Sequence, residues 1–306
     1  LAALDDIELK RVAADTLRRL GERWLDDALY ESLWQPAALA SPTTDVDALA
    51  RTADAAVPAL RASAALAVYD EFLPRFEALC GDYVVQTMQR LGWQPAVGEH
   101  VDAGALADRL RVLPAHGRLF GRLLAILAED GLLGADATGF VVRRAWPAVA
   151  PSRRGRDLAA EFGQARVELE FTARCADEFA PALRGAVDPM QLLFPAGSLE
   201  TAERLYRDTP AARFYNGLVA EAVAAAARAG RPLRILEIGA GTGGTTAHVL
   251  PRLAGRDAEY TFTDIGALFV AKARERFGGA HPGMRFQVLD LERPPESQGL
   301  AAASFD

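Results

Sequence analysis

A carboxylate and three alternating glycines stand together in this chain: Glu237, Gly239, Gly241 and Gly243, within Leu233-Arg-Ile-Leu-Glu-Ile-Gly-Ala-Gly-Thr-Gly-Gly-Thr-Thr246. Glycines at that spacing let backbone N–H groups approach a ligand that any Cβ would hold off. The chemistry on offer is binding of a nucleotide-like molecule by backbone donors and a helix N-terminus. Gly239, Gly241 and Gly244 also fit G-x-G-x-x-G, a weak dinucleotide signature. A pyrophosphate gains nothing from the carboxylate of Glu237, whereas a ligand with an ammonium and a sulfonium does. S-adenosylmethionine carries both positive centres and no phosphate, so the acidic approach favours a methyl donor over a nicotinamide dinucleotide.

Two further acids follow at matching places. Tyr260-Thr-Phe-Thr-Asp264 reads as a strand whose last residue can accept both ribose hydroxyls. A nicotinamide enzyme would use the same acid, so Asp264 indicates an adenosine ribose without separating the two cofactors. Met284-Arg-Phe-Gln-Val-Leu-Asp290 reads as a third strand, and Asp290 with Leu291 could hold the adenine amino group and cover the ring. Three solvated loop acids remain the plainer alternative.

The elements that must position these groups are readable around them. Leu233–Ile238 is a short, β-rich apolar run, the pattern of a buried parallel strand. Thr245–Leu250 can form a helix that ends at Pro251 or just after it. Upstream, Asp208-Thr209-Pro210 is a helix start, with Thr209 as cap and Pro210 at the first helical position. Phe214, Leu218, Val219, Ala222, Val223 and Ala226 form its apolar face, and Gly230 offers a left-handed stop.

The segments "LEIGAGTGGTTAHVLPRL", "YTFTDIGALFVAKARERF" and "LDLERPPESQG" resemble the cofactor half of the C-methyltransferase domains of modular type I polyketide synthases. "DPMQLLFPAGSLETAERLYRDTPAARFYN" is similar to the stretch such domains carry just before the core. Class I methyltransferases share the glycine motif generally; "TFTDI" and "FYN" with it point to carbon methylation of a polyketide. The resemblance implies an α/β fold, the N-terminal half of a Rossmann-like class I methyltransferase core preceded by a mainly helical lid. It implies an S-adenosylmethionine site built from Tyr215, Glu237, Gly239, Ala240, Gly241, Thr242, Gly243, Asp264, Ile265, Asp290 and Leu291. The implied partners are an acyl carrier protein with its tethered thioester and the neighbouring synthase domains.

Residues 1–45 are expected to form a helix to about residue 29, a short linker strand in "LYESLW" and a boundary at Ser41–Asp45. Residues 46–185 read as mainly helical. Phe72, Leu73, Phe76, Leu79, Tyr83, Val84, Met88 and Leu91 form one stripe, and Leu119, Phe120, Leu123, Leu124 and Leu127 another. Gly139-Phe-Val-Val-Arg143 is strand-like, which gives a winged-helix-like order. A simple helical packing domain fits the same pattern; the resemblance favours a lid over the substrate. Residues 186–306 are the cofactor core.

Methylating a β-ketoacyl thioester at its α-carbon needs a base within hydrogen-bond reach. A histidine oriented by a carboxylate suits that task. The resemblance places it after the fourth strand, and Ser304-Phe305-Asp306 reads as that strand's start, so the base is expected beyond residue 306. None of His100, His116, His248 and His281 is a strong substitute; His116, just before a helix, suits capping or packing. Tyr206, Tyr215 and Asn216 could reach the methionine end or the substrate.

Composition bounds these readings. With 306 residues, half of them hydrophobic, the chain can bury one large core or two ordinary ones. A net charge of −7 argues against nucleic acid. Cys80 and Cys175 are too few for a disulfide framework, which points to the cytoplasm, and no apolar run is long enough for a membrane span. No spacing suggests a metal site. Leu1 and the absence of a leader pattern suggest a piece of a longer polypeptide. Two alternatives stay open: an inactive pseudo-methyltransferase kept as a structural domain, and an O-methyltransferase sharing the cofactor half.

Overall fold

The computed structural model describes residues 7–11, 30–34, 45–136, 139–227 and 232–306. The chain divides into two units, Leu1–Val46 and Asp47–Asp306. In the first, β1 (Ile7–Arg11) and β2 (Tyr30–Trp34) pair antiparallel, Ile7 opposite Trp34 and Arg11 opposite Tyr30. The linker strand at 30–34 is therefore present. The helix expected from residue 1 to about 29 is contradicted at Ile7–Arg11, which is extended. Ile7-Glu8-Leu9-Lys10 alternates apolar and polar with the period of a strand. Its partner strand supplies the backbone hydrogen bonds it needs. The rest of that expected helix lies outside the described residues, as does Ser41–Thr44.

From Val46 to Leu193 the chain is mainly helical: α1 (Val46–Ser63), α2 (Val68–Arg90), α3 (Ala103–Arg109), α4 (Gly117–Glu129), α5 (Pro151–Glu161), α6 (Arg166–Asp177), α7 (Phe179–Leu183) and α8 (Pro189–Leu193). The expected stripes are buried at Phe72, Leu79, Met88, Phe120, Leu124 and Leu127, but Leu73 and Leu119 face solvent. β3 (His100–Val101), β4 (Leu133–Asp136) and β5 (Gly139–Val142) form an antiparallel sheet in the order β3-β5-β4. Only β5 was legible in the sequence. The helical region holds two cores, one around Met88, Phe120 and Leu127, the other around Phe72, Phe162 and Leu169.

α9 (Glu200–Arg207) and α10 (Pro210–Ala226) lead into the sheet. Thr209 caps α10 as its sequence predicts, its Oγ1 accepting from the Ala212 N–H at 3.2 Å. The apolar face is rotated from the expected one: Ala220 and Ala224 are buried while Val219 is exposed. The helix serves two cores at once, Phe214 entering the second helical core and Ala220 the sheet core. Gly230 lies outside the described residues.

β6 (Leu233–Glu237), α11 (Gly244–Arg252), β7 (Ala258–Asp264), α12 (Ala267–Phe277) and β8 (Arg285–Val288) form a parallel sheet in the order β6-β7-β8, with helical crossovers. Glu237 stands opposite Phe262 and Asp264 opposite Val288, so the carboxyl ends of the strands share one edge of the sheet. Beside β6, on the side away from β7, the Asp306 N–H donates to the Arg234 carbonyl at 2.9 Å. Asp306 Oδ2 accepts from the Arg234 N–H, also at 2.9 Å. Asp306 thus lies beside β6, but the strand expected to start at Ser304 is not formed within Ser304–Asp306. Among the described residues, no helix is long and apolar enough to cross a membrane.

Phe262 is fully buried at the centre of this sheet core. Phe262→Ala should cost about 3–5 kcal/mol in urea unfolding. A loss below about 1 kcal/mol would show that the core is not packed there.

Candidate cofactor site

The glycine alternation is a backbone requirement. Gly239, Gly241 and Gly243 have φ of 65°, 54° and 73°, in the left-handed region that side chains other than glycine rarely adopt. The loop is fastened to the next strand: the Ala240 N–H donates to the Thr263 carbonyl at 2.9 Å, and Thr263 Oγ1 donates to the Glu237 carbonyl at 2.7 Å. Asp264 does the rest. Its Oδ2 accepts from the Gly241 N–H at 2.8 Å and its Oδ1 from the Gly266 N–H at 2.7 Å.

The other side of the loop is locked to α9 and α10. A Cβ on Gly244 would lie 2.4 Å from the Tyr206 carbonyl oxygen, so only glycine permits this contact. The buried Asn216 amide joins both partners. Its Nδ2 donates to the Tyr206 carbonyl at 2.9 Å, and its Oδ1 accepts from Thr245 Oγ1 at 2.8 Å.

Above the loop lies a cavity of 350 Å³, within the range of small-molecule sites. Gly239, Ala240, Gly241, Thr242, Gly244 and Thr245 form its floor; Phe194, Ala202, Tyr206, Asn216 and Phe269 form its walls. A Cβ on Gly239 would meet nothing within 4 Å, so the cradle opens onto free space. Among the described residues, no lysine or arginine lines it. A pyrophosphate would find backbone N–H groups and neutral side chains there, and no cation to balance its charge among the described residues. An uncharged ribose and a cationic sulfonium suit this cavity better, and S-adenosylmethionine fits the donor set.

The structure brings together Gly239, Ala240, Gly241 and Thr242, with Asp264 directly behind them. Gly243 supports the loop from below, against Phe277. Glu237 does not line the cavity. Its Oε2 accepts from the Thr246 hydroxyl and, at 2.7 Å, from the Tyr260 hydroxyl, tying β6 to α11 and β7. Burial pushes its carboxyl above the ordinary 4.5, and the two hydroxyls oppose that shift. Tyr215 lies outside the lining, exposed and edge-on to Phe214. Ile265 and Leu291 are exposed beyond the strand ends, and Asp290 Oδ1 accepts from the Glu292 N–H at 2.9 Å.

Phe194, Ala202, Thr245 and Phe269 were not singled out by the sequence. Phe194 and Ala202 do fall in the upstream stretch that carried the resemblance. None of the histidines lines the cavity. His248 Nε2 is 3.2 Å from the Arg207 carbonyl, and His281 faces a separate hollow with Leu250 and Pro282. His100 lies in β3. His116 makes no capping hydrogen bond and instead lines a small apolar pocket with Leu119 and Phe179.

A buried acid with a raised pKa favours the folded state while protonated. That contribution is complete below the unfolded value and is lost as pH rises through the folded one. Glu237→Gln should therefore hold its melting temperature better than wild type as pH rises above the ordinary 4.5. Parallel melting curves for the two proteins would show that Glu237 ionises in the fold without cost.

Comparison with known proteins bears on this geometry. A family profile described as a methyltransferase domain matches residues 236–306. The non-reducing polyketide synthase ausA of Aspergillus calidoustus is 31% identical over 286 residues, covering 87% of this chain and 11% of its own length. The chain thus spans about a tenth of that curated relative. Among solved structures, the CurJ carbon methyltransferase is 38% identical with a TM-score of 0.78, covering 84% of this chain and 70% of its own. The DszA carbon methyltransferase is 31% identical with a TM-score of 0.70, covering 82% and 68%. These likenesses show the family: the chain belongs to the carbon-methyltransferase domains of polyketide synthases.

Proposed function

We propose that this chain provides the lid and the cofactor-binding half of a domain that methylates the α-carbon of a β-ketoacyl thioester held on an acyl carrier protein, with S-adenosylmethionine as donor. The observation that carries this reading is the cation-free cavity over Gly239–Thr242, backed by Asp264. Gly239, Ala240, Gly241 and Thr242 would hold the donor from below, with Tyr206 and Asn216 at its side. Asp264, behind the loop, is proposed to meet a ribose hydroxyl with the lone pairs its two backbone N–H bonds leave over. Ile265, Asp290 and Leu291, beyond the ends of β7 and β8, are proposed for the adenine. Tyr215 is proposed for the substrate side of α10, and Glu237 for holding the loop through α11. Bound there, the sulfonium supplies an electrophilic methyl group for a carbon nucleophile.

The remaining work of these residues is positional. Asp264 fixes the loop against the turn after β7, and Asn216 fixes its other end to α9, so the cradle is formed before any ligand arrives. The helical region up to Leu193 is proposed as the lid over the thioester. No histidine lines the cavity. The base that takes the α-proton is therefore proposed to be the histidine that this family carries after its fourth strand. The partners are the carrier protein and neighbouring synthase domains, and the compartment is the cytoplasm, which suits the free Cys80 and Cys175.

Calorimetric titration with S-adenosylhomocysteine tests the cofactor site. Asp264→Ala should weaken binding about tenfold or more, since two loop N–H groups lose their acceptor. Gly241→Val should abolish it, with circular dichroism unchanged in both. Undiminished binding in both variants would place the pocket elsewhere. For the acceptor, the parent synthase given labelled donor and a β-ketoacyl carrier protein should yield a product methylated on carbon; methyl on oxygen would refute that part.

A further inference from the structure

Between α8 and α9 the chain forms a short strap, Phe194–Leu199, that reaches the cofactor cavity. Resting on the cofactor reading above, we infer that this strap is a retaining jaw: Phe194 closes with Phe269 over the bound methyl donor and limits its escape, and Arg174 positions the strap.

One side of the jaw is fixed. Phe269 stands in the first turn of α12, its ring so close over Gly266 that a Cβ there would come within 2.8 Å. The same Gly266 donates its N–H to Asp264, so Phe269 is referenced to the acid behind the cradle. The opposing ring is Phe194, edge-on to Phe269 with centroids 5.9 Å apart at 67°. Both rings line the cavity.

The other side is an exposed turn. Ala196 (φ 51°) and Gly197 (φ 75°) are consecutive left-handed residues that turn the chain back toward α9, and alanine is strained in that region. Phe194 belongs to none of the three buried clusters, so it can swing without opening a core. The turn closes on itself, Gly197 N–H donating to the Phe194 carbonyl and Ser198 N–H to the Pro195 carbonyl, both at 2.9 Å, and a side chain from α6 brackets it. Arg174 Nε donates to the Leu192 carbonyl at 2.9 Å, and its Nη1 reaches Thr201 Oγ1 at 3.5 Å, one guanidinium spanning both ends. That guanidinium also lies over the Phe171 ring, 5.4 Å from its centroid. A link thus runs from the helical region to the ring over the cofactor.

The test is the dissociation rate of S-adenosylhomocysteine from the 306-residue chain, by stopped flow, with affinity by calorimetry and stability by thermal melting. Phe194→Ala should raise the off-rate about tenfold, the scale of losing one ring from a stacked nucleoside, with its melting temperature unchanged. Phe194→Tyr should restore wild-type retention. Arg174→Met keeps the packing on Phe171 while removing both hydrogen bonds, and should raise the off-rate by a smaller factor. Wild-type off-rates in Phe194→Ala would overturn the jaw, and in Arg174→Met its anchor. If the wild-type chain binds no S-adenosylhomocysteine at all, the cofactor reading itself fails.

Discussion

One carboxylate sets the geometry on which the site depends. Asp264 accepts from Gly241 in the loop after β6 and from Gly266 in the turn after β7. Charge-assisted hydrogen bonds of this kind are the strong ones, and this acid is buried. One of them fixes Gly241, the middle of three left-handed glycines, a residue type that loses more backbone freedom on folding than any other. That fastening joins the Ala240–Thr263 backbone bond in holding the loop open. With it, the protein presents a formed cradle whose ordering cost falls on folding, leaving ligand affinity undiminished.

From this fastening outward, each layer constrains the next. The register of β6, β7 and β8 brings their carboxyl ends to one edge, which is what lets Asp264 reach a loop on another strand. Gly244 allows α9 to press its Tyr206 carbonyl against the loop, and Asn216 satisfies both that carbonyl and Thr245. α10, which carries Asn216, sends Phe214 into a core of the helical region. The helical region and the cradle are therefore connected through one helix, with packing at one end and a buried amide at the other.

The sequence disclosed the parts whose backbone leaves no choice of residue. Left-handed turns demand glycine, and a carboxylate closing an apolar strand stands out, so Gly239, Gly241, Gly243 and Asp264 were legible. The direction of a side chain was not. Glu237 stands at the expected place, yet it lies beneath the loop with Thr246 and Tyr260. Pairing made only by tertiary contact was equally hidden. β1 and β3 are five and two residues long and owe their conformation to partners distant in sequence, while β4 is four residues long and pairs with the adjacent β5. Phe194 has no local mark of its role, because what makes it a wall of the cavity is Phe269, far along the chain. The face of α10 was misjudged for a related reason: a helix between two cores has no single apolar stripe.

The central claim is that the cradle over Gly239–Thr242 receives an S-adenosyl compound. A crystal structure with S-adenosylhomocysteine tests it most directly. The account predicts density for the ligand in the cavity walled by Phe194, Tyr206, Asn216 and Phe269, with the glycine loop unmoved. Ligand density in the hollow beside His281 at the other end of the strands, or a loop that must refold to admit it, would contradict the account.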